Sequence, residues 1–168
     1  MKTFKQLYDD TKRYSKGNSR FVRDIDGELY NIIPNVPAKL ITFEFKVKSQ
    51  AKRNEGYRVR LQFYDMKFHD KPTSSNCVKI EDKHTGKPLY FEKINLFTQP
   101  VRVRCGCQDF RFRFAWEDRA VQALYGGVPK GYTPVPGSHR PPVNPEHIPG
   151  FCKHIFTCTM TIQHYFAR

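Results

Sequence analysis

Two short pairs of residues in the last third of the chain have the side-chain types that bind soft metal ions. Cys105 and Cys107 are one residue apart, and Cys152 and His154 repeat that spacing. Each pair places two donors on one side of an ion, and together they supply the four thiolate and imidazole donors of a tetrahedral zinc site. Such a site, with every position filled by protein, is structural rather than catalytic. The spacing therefore predicts a structural Zn²⁺ at these four residues.

The alternative interpretation is that the cysteines are small buried side chains, which is a common role for cysteine. Two features favour the metal. Gly106, between the first two thiols, lets the backbone fold tightly so that both sulfurs face one point. The Pro149–Gly150 pair forms a turn that presents Cys152 at the start of a secondary element. Cys158 lies four residues after His154, so on a helix it would share that face and remains an alternative fourth donor.

The sequence offers no positive support for catalysis. It contains neither a Gly-rich phosphate-binding loop nor a His-Glu-x-x-His motif. A filled site of three cysteines and one histidine also leaves no open position at which a metal activates water. We therefore expect no enzymatic activity and no small-molecule substrate.

The composition favours a folded, β-rich protein made in a reducing compartment. The chain has 168 residues, with 14 Phe and nine Tyr, which are typical of large side chains on pleated faces. No apolar run is long enough to span a membrane, and the first residues lack the apolar core of a signal peptide. Five cysteines in paired spacing favour reduced thiols over a disulfide framework. These features predict synthesis and assembly in the cytoplasm, without a membrane partner.

The charge is strongly positive, with 29 Lys and Arg against 16 Asp and Glu and a net charge of +13. Such an excess raises the affinity for polyanions and acidic surfaces without identifying them. Six arginines beside aromatic residues predict a basic face for nucleic acid or for a protein partner. Equally, outward-facing strand positions are often charged only to keep a sheet solvated. The six are Arg58, Arg60, Arg102, Arg104, Arg111 and Arg113.

The elements that must position these residues are mostly strands. Apolar and polar residues alternate with period two in several segments, which predicts half-buried antiparallel pairs. The predicted strands are residues 41–47, 57–63, 77–81, 88–92 and 101–104, the last leading directly into Cys105. At the N-terminus, Thr3 and Gln6 form a capping-box pattern, which predicts a helix.

The remainder of the chain predicts a second helix, a long loop and one ambiguous segment. Residues 109–125 favour a helix, because Asp109 is a good cap and the second half is rich in Ala, Glu and Gln. Residues 126–151 hold seven of the twelve prolines and five of the ten glycines, which excludes a helix or a central strand. Residues 152–168 fit both strand alternation and helical spacing, and propensity alone favours a strand.

The order Cys-x-Cys … Cys-x-His resembles the SWIM-type zinc finger, and Cys105, Cys107, Cys152 and His154 match it position by position. In that family the first pair ends a β-element and the second begins a helix. The resemblance therefore implies a helix for the last segment. The spacer, residues 108–151, is longer than the family usually has, so the resemblance covers only the last third of the chain.

Two further stretches, residues 107–115 and 144–154, resemble a group of small phage proteins. Those proteins have Cys-x-Cys-x-Asp-Phe-x-x-Arg-Phe-Ala and Asn-Pro-x-x-x-Pro-Gly-x-Cys-Lys-His, and tend to be labelled virion or structural proteins. The resemblance implies a non-enzymatic component of the tail, neck or baseplate of a tailed phage. Such a protein would dock on neighbouring subunits and be located in the virion after assembly in the host cytoplasm. The competing hypothesis is a SWIM-like nucleic-acid-binding protein.

Together these observations predict an α+β fold with a mostly antiparallel β body. An N-terminal helix precedes the body, and a C-terminal helical segment clamped by zinc follows it, with a long Pro- and Gly-rich loop. We expect residues 1–100 to form the helix and β body. Residues 101–168 are expected to form a SWIM-like zinc module that includes loop 126–151, within one compact unit.

Overall fold

A computed structural model describes residues 1–15, 20–21, 25–49, 56–83, 85–127 and 144–168. These residues form an α+β fold that begins and ends with a helix around a mostly antiparallel β body, as the sequence predicts. In chain order the elements are α1 (Phe4–Tyr14), β1 (Gly27–Asn35), β2 (Leu40–Lys48), β3 (Gly56–Phe63), β4 (Phe68–His69), β5 (Cys77–Glu81), β6 (Pro88–Glu92), β7 (Val101–Cys105), α2 (Gln108–Arg113), α3 (Ala115–Ala120) and α4 (Lys153–Phe166).

The larger sheet is antiparallel and has the strand order β1-β2-β3-β7. The predicted pairing of the two alternating segments is confirmed, since Phe43 pairs with Leu61 and Phe45 with Val59. All four side chains are fully buried on one face of the sheet. A slip of one residue would move this whole apolar set to the opposite face, so the core fixes the register.

The smaller sheet has the order β4-β6-β5 and contains the predicted pair of strands, β5 and β6, with the predicted bounds. Among the described residues, one strand follows position 100, and it belongs to the large sheet together with β1, β2 and β3. β7 pairs with β3, and apolar residues of α2 and α4 share one hydrophobic core with β2 and β3. The end of β7 is therefore fixed in position relative to the other strands of the large sheet.

Helix α1 begins at the predicted capping box. The Gln6 N–H donates to Thr3 Oγ1 at 3.2 Å, and the Thr3 N–H donates to Gln6 Oε1 at 2.9 Å. Its apolar face is buried at Phe4 and Leu7, and the Phe4 ring stacks on Phe151 with centroids 5.0 Å apart. The sequence Lys16-Gly17-Asn18-Ser19, which predicts the end of this helix, lies outside the described residues.

Helix α4 confirms the helical assignment that the resemblance implies for the last segment. It packs against β1, β3 and β7, and is buried on most sides, including Ile155, Phe156, Cys158 and Ile162. Near its C-terminal end, Phe166 packs on Phe43 with ring centroids 5.1 Å apart. Residues 154–159 are all buried, so the first turns of this helix have no solvent-exposed face, which explains why strand alternation fits the segment as well as helical spacing does.

The single helix predicted over residues 109–125 is instead two short helices that end at Ala120. Beyond them the chain turns through Gln122, which has a φ of 59°, and then lies along β7. There the Val103 N–H donates to Ala123 O at 2.8 Å, and the Tyr125 N–H donates to Val103 O at 3.1 Å. These hydrogen bonds pair backbone groups at the open edge of β7. The chain forms them in place of the last helical turns that local propensity favours.

Of loop 126–151, the structure describes residues 126–127 and 144–151, and the remainder lies outside the described residues. Within the described ranges, every helix is too short or too polar to cross a bilayer.

Candidate metal centre

Four side chains from three elements meet at one end of the large sheet. Cys105 is the last residue of β7, and Cys107 is the N-cap of α2. Cys152 is the N-cap of α4, and His154 lies in the first turn of that helix. The cap at Cys152 has no side-chain hydrogen bond to the helix, so its thiol is directed elsewhere. Each pair therefore sits where one regular element ends or another begins.

The donor atoms of these residues converge. One atom from each of Cys105, Cys107, Cys152 and His154 lies within 4.8 Å of every other, and all four residues are buried. His154 Nδ1 lies 3.8 Å from the Sγ atoms of both Cys105 and Cys152. Zinc bonds of ~2.0–2.3 Å give edges of roughly 3.3–3.8 Å between donors of a tetrahedron. The cluster has the composition, burial and spacing of a site that could hold a metal ion.

The three thiols of the cluster differ in the direction in which their pKa values are shifted. Burial raises the pKa of Cys105 and Cys152 well above the ordinary value of a thiol. Hydrogen bonds from the Cys105 and Cys152 thiols instead lower the pKa of Cys107, which also accepts the Phe110 N–H at 3.3 Å. For all three to become thiolates at this buried site, a positive charge would have to lie between them, and a divalent ion would supply it.

Two details of the predicted site are settled by its geometry. Cys158 does not belong to the cluster, and its Sγ instead lies 3.9 Å from where a Cβ at Gly27 would be. Gly106 is not required for the turn between the two thiols. Its φ is not in the left-handed region, and an added Cβ would make only ordinary contacts of 3.8 Å with Arg58. The donors are positioned by β7 and α2 rather than by a special glycine.

The segment leading into the second pair is held by side chains instead of by a sheet or helix. Asn144 Nδ2 donates to the carbonyls of Arg113 and Ile148, each at 2.8 Å, and Asn144 Oδ1 accepts the Ile148 N–H at 3.2 Å. Further on, Thr11 Oγ1 accepts the Phe151 N–H at 3.0 Å. Backbone groups that a loop would leave unpaired in the interior are thus satisfied next to Cys152.

Substituting Asn144 with alanine is expected to destabilise the protein by about 2–3 kcal/mol, because buried backbone groups lose their partners. Chemical denaturation of the two proteins measures this loss. Asn35→Ala is the matched control, since Asn35 accepts one exposed N–H, from Ala38 at 3.0 Å. That control should cost less than about 1 kcal/mol. Equal losses for both variants would contradict the role assigned to Asn144.

A buried carboxyl group, Asp118 of α3, completes the support of this segment. Its Oδ1 accepts the Gly150 N–H at 2.9 Å, while its Oδ2 has no hydrogen-bond partner among the described residues. Burial raises the pKa of Asp118 well above its usual value, the Gly150 N–H opposes this, and the nearby carboxyl groups of Asp10 and Glu117 raise it further. The folded protein therefore keeps this proton at a pH where an unfolded chain has released it.

This difference makes stability depend on pH in a direction that can be stated. Between the unfolded pKa of about 3.9 and the raised folded pKa, the native state binds the extra proton, so stability falls as pH rises. The slope reaches at most about 1.4 kcal/mol per pH unit for one group.

Asp118→Asn keeps the neutral shape and the acceptor for Gly150 while it removes the titration. We expect the unfolding free energy of the variant to increase relative to that of the wild type as pH rises. Denaturation of both proteins at matched pH values measures that difference, and thiol and histidine titrations common to both cancel. A difference that is independent of pH would contradict the raised pKa.

The six arginines predicted as a surface lie on three elements, β3, β7 and α2. Arg58, Arg60, Arg102 and Arg104 share the outer face of the large sheet, where Arg60 pairs with Arg104 across β3 and β7. The remaining two, Arg111 and Arg113, lie on α2 rather than on the sheet.

Several of these guanidinium groups have contacts within the protein. Arg60 Nε donates to Glu44 Oε1 at 2.6 Å, and its guanidinium lies over the Tyr125 ring. Arg104 Nη1 donates to the carbonyls of Tyr125 and Gly127 at 2.8 and 2.6 Å. Arg113 pairs with Asp109 of its own helix. A role of this surface in binding nucleic acid or a partner remains a prediction.

Sequence reasoning missed two of the residues that hold the site. Thr11 reads as an ordinary position on the buried face of α1, yet its hydroxyl donates to Leu7 O at 2.8 Å and accepts from Phe151. Asp118 lies in the charged run Glu117–Arg119, a pattern typical of an exposed face, so nothing marked it as buried. Asn144 did carry a signal, because the Asn-Pro pair belongs to the stretch that resembles phage proteins.

Comparison with protein-family models, curated proteins and solved structures found no match to this chain.

Proposed function

We propose that the four-residue cluster is a structural zinc site with the arrangement of a SWIM-type finger. The observation that carries the proposal is the convergence of three buried sulfurs and one imidazole nitrogen within 4.8 Å. Three thiolates and one imidazole select zinc over harder ions such as Mg²⁺ or Ca²⁺. The placement of the first pair at the end of β7 and of the second at the start of α4 supports the SWIM-like arrangement.

Elemental analysis of the protein purified without chelators tests the metal. One zinc per chain is expected, and X-ray absorption should fit three sulfur ligands and one nitrogen ligand. Protein that is folded and free of transition metal would refute the proposal.

We further propose that the protein is a non-enzymatic assembly component, in the tail, neck or baseplate of a tailed phage. The stretches that resemble phage structural proteins, residues 107–115 and 144–154, contain the metal donors and the residues that hold them. A filled tetrahedral site leaves no ligand position for a substrate, which favours a structural role over catalysis. Mass spectrometry of purified particles tests the proposal, and absence of the chain from intact particles would refute it.

A second candidate function, binding of nucleic acid, is favoured by one observation. The outer face of the large sheet carries Arg58, Arg60, Arg102 and Arg104 side by side. Phosphate contacts by such a face make binding fall linearly in log–log with salt concentration, whereas a shape-matched protein contact depends weakly on salt. Protein that ignores DNA and RNA at low salt would eliminate this candidate.

A further inference from the structure

An exposed patch on helices α2 and α3 combines arginine with aromatic side chains. Phe112 and Trp116 are 37% and 44% exposed although both are large and apolar. The guanidinium of Arg111 lies over the Phe112 ring at 5.3 Å, and that of Arg119 lies over Trp116 at 5.9 Å. We refer to Arg111, Phe112, Trp116 and Arg119 as the α2–α3 patch. Trp and Arg are the residue types most enriched among the energetically dominant contacts of protein interfaces.

A cavity of about 220 Å³ adjoins this patch and is lined by Arg111 itself. Its other walls are the apolar side chains of Phe110, Ala115 and Leu124, together with Gly106, Arg104 and Cys105 of the four-residue cluster. Arg104 is held in place by the carbonyls of Tyr125 and Gly127. A cavity that combines apolar walls with two arginines suits an apolar side chain that is flanked by carboxylates.

The carboxylates near the patch are already engaged, so they do not neutralise it. Asp109 pairs with Arg20 and Arg113, and Glu117 contacts His147. Among the described residues, neither Arg111 nor Arg119 forms an ion pair with a carboxylate. The patch therefore presents uncompensated positive charge next to exposed apolar surface.

We propose that the α2–α3 patch and its cavity bind an acidic segment of a partner protein. An apolar side chain of that segment would occupy the cavity, and its carboxylates would pair with Arg111 and Arg119. This inference deepens the proposed assembly role and rests on it for the existence of a protein partner.

Charge and chemistry favour this occupant over three others. A second copy of the chain brings the same positive patch and a net charge of +13. Residues 128–143 carry Lys130 and Arg140 and no carboxylate, so charge does not favour this segment of the same chain. Nucleic acid would stack its bases on open ring faces, but a guanidinium already covers one face of Phe112 and of Trp116.

The test uses the full chain as purified and measures fluorescence anisotropy of labelled probes. The probes are short peptides of Glu and Asp with one central Leu or Phe, the same peptide with a central Gly, and a thymidylate oligonucleotide of equal length. We expect the Leu and Phe peptides to bind more tightly than the Gly peptide and the oligonucleotide. Arg111→Glu and Trp116→Ala should each weaken that binding by roughly tenfold or more.

Lys71→Glu is the matched control, because it makes the same charge change at an exposed position between β4 and β5. It should change binding less than about twofold, as expected for a distant screened charge. Failure of all acidic peptides to bind overturns the inference, and so does tighter binding of the oligonucleotide that depends on Arg111. Mass spectrometry of purified particles separates this inference from the assembly role on which it rests. A chain that is present in particles but binds no acidic peptide refutes only this inference, whereas a chain that binds peptide but is absent from particles refutes only the assembly role.

Discussion

Removal of the metal, or of one of its donors, is expected to cause the largest loss of stability in this protein. The cluster joins the end of β7 to the start of α4, and α4 lies in the core. Zinc contributes ~10–16 kcal/mol of apparent binding free energy in finger peptides, which is comparable to the ~5–15 kcal/mol net stability of a whole domain. Cys152→Ala should therefore cost at least about 5 kcal/mol and lower Tm by roughly 10–20 °C. Thermal denaturation followed by circular dichroism, with zinc content measured in parallel, checks this.

Cys158→Ala is the control for that substitution, since it removes a thiol that is equally buried in the same helix but lies outside the cluster. It should cost about 1–2 kcal/mol, as an ordinary core truncation does, and leave the zinc content unchanged. A chelator should lower the Tm of the wild type and of Cys158→Ala alike, with little effect on Cys152→Ala. If the two cysteine variants lose equal stability, the sulfurs are only core side chains and the metal site is wrong.

The second large effect is expected from Gly150→Ala. A Cβ at this position would lie 2.5 Å from Thr11 Oγ1 and 3.1 Å from Phe114 Cε1. Thr11 cannot move aside without loss of its buried hydrogen bonds to Leu7 and Phe151. The steric conflict and the broken bonds together should cost about 3–5 kcal/mol in unfolding free energy, measured by urea denaturation.

Gly127→Ala provides the comparison, because an added Cβ there would meet no atom within 4 Å. It should change stability by less than about 0.5 kcal/mol. In the double variant Thr11→Ala/Gly150→Ala the closest contact disappears. The loss of unfolding free energy in the double variant should therefore be smaller than the sum of the losses in the two single variants. Full additivity would mean that the glycine and the threonine do not interact, contrary to the packing described here.

The predictable part of the fold is the part governed by short-range patterns. Period-two alternation identified the strands that became β2, β3, β5, β6 and β7, and the capping box of Thr3 and Gln6 marked the start of α1. Both signals are local, because a strand half exposed to water must alternate and a helix start must satisfy its free N–H groups. The residues of the candidate metal cluster could be recognised for the same reason, since each pair spans only three residues.

Elsewhere the outcome depended on what the segment packs against. Helix propensity favoured one helix over residues 109–125. Residues 123–125 instead form hydrogen bonds with the open edge of β7. For residues 152–168, propensity favoured a strand, and burial of α4 on most sides hid the helical period. In both segments a neighbouring element offered hydrogen bonds or apolar contacts that outweighed local preference.

The sequence by itself identified the three cysteines of the cluster and the alternation that builds the large sheet. It did so because donor chemistry and side-chain period are properties of the residues themselves. Only the tertiary structure decided that His154 rather than Cys158 joins the three sulfurs, and that Thr11, Asp118 and Asn144 hold the chain beside them. Those contacts join residues up to 140 positions apart along the chain, and only the packed core brings such residues together.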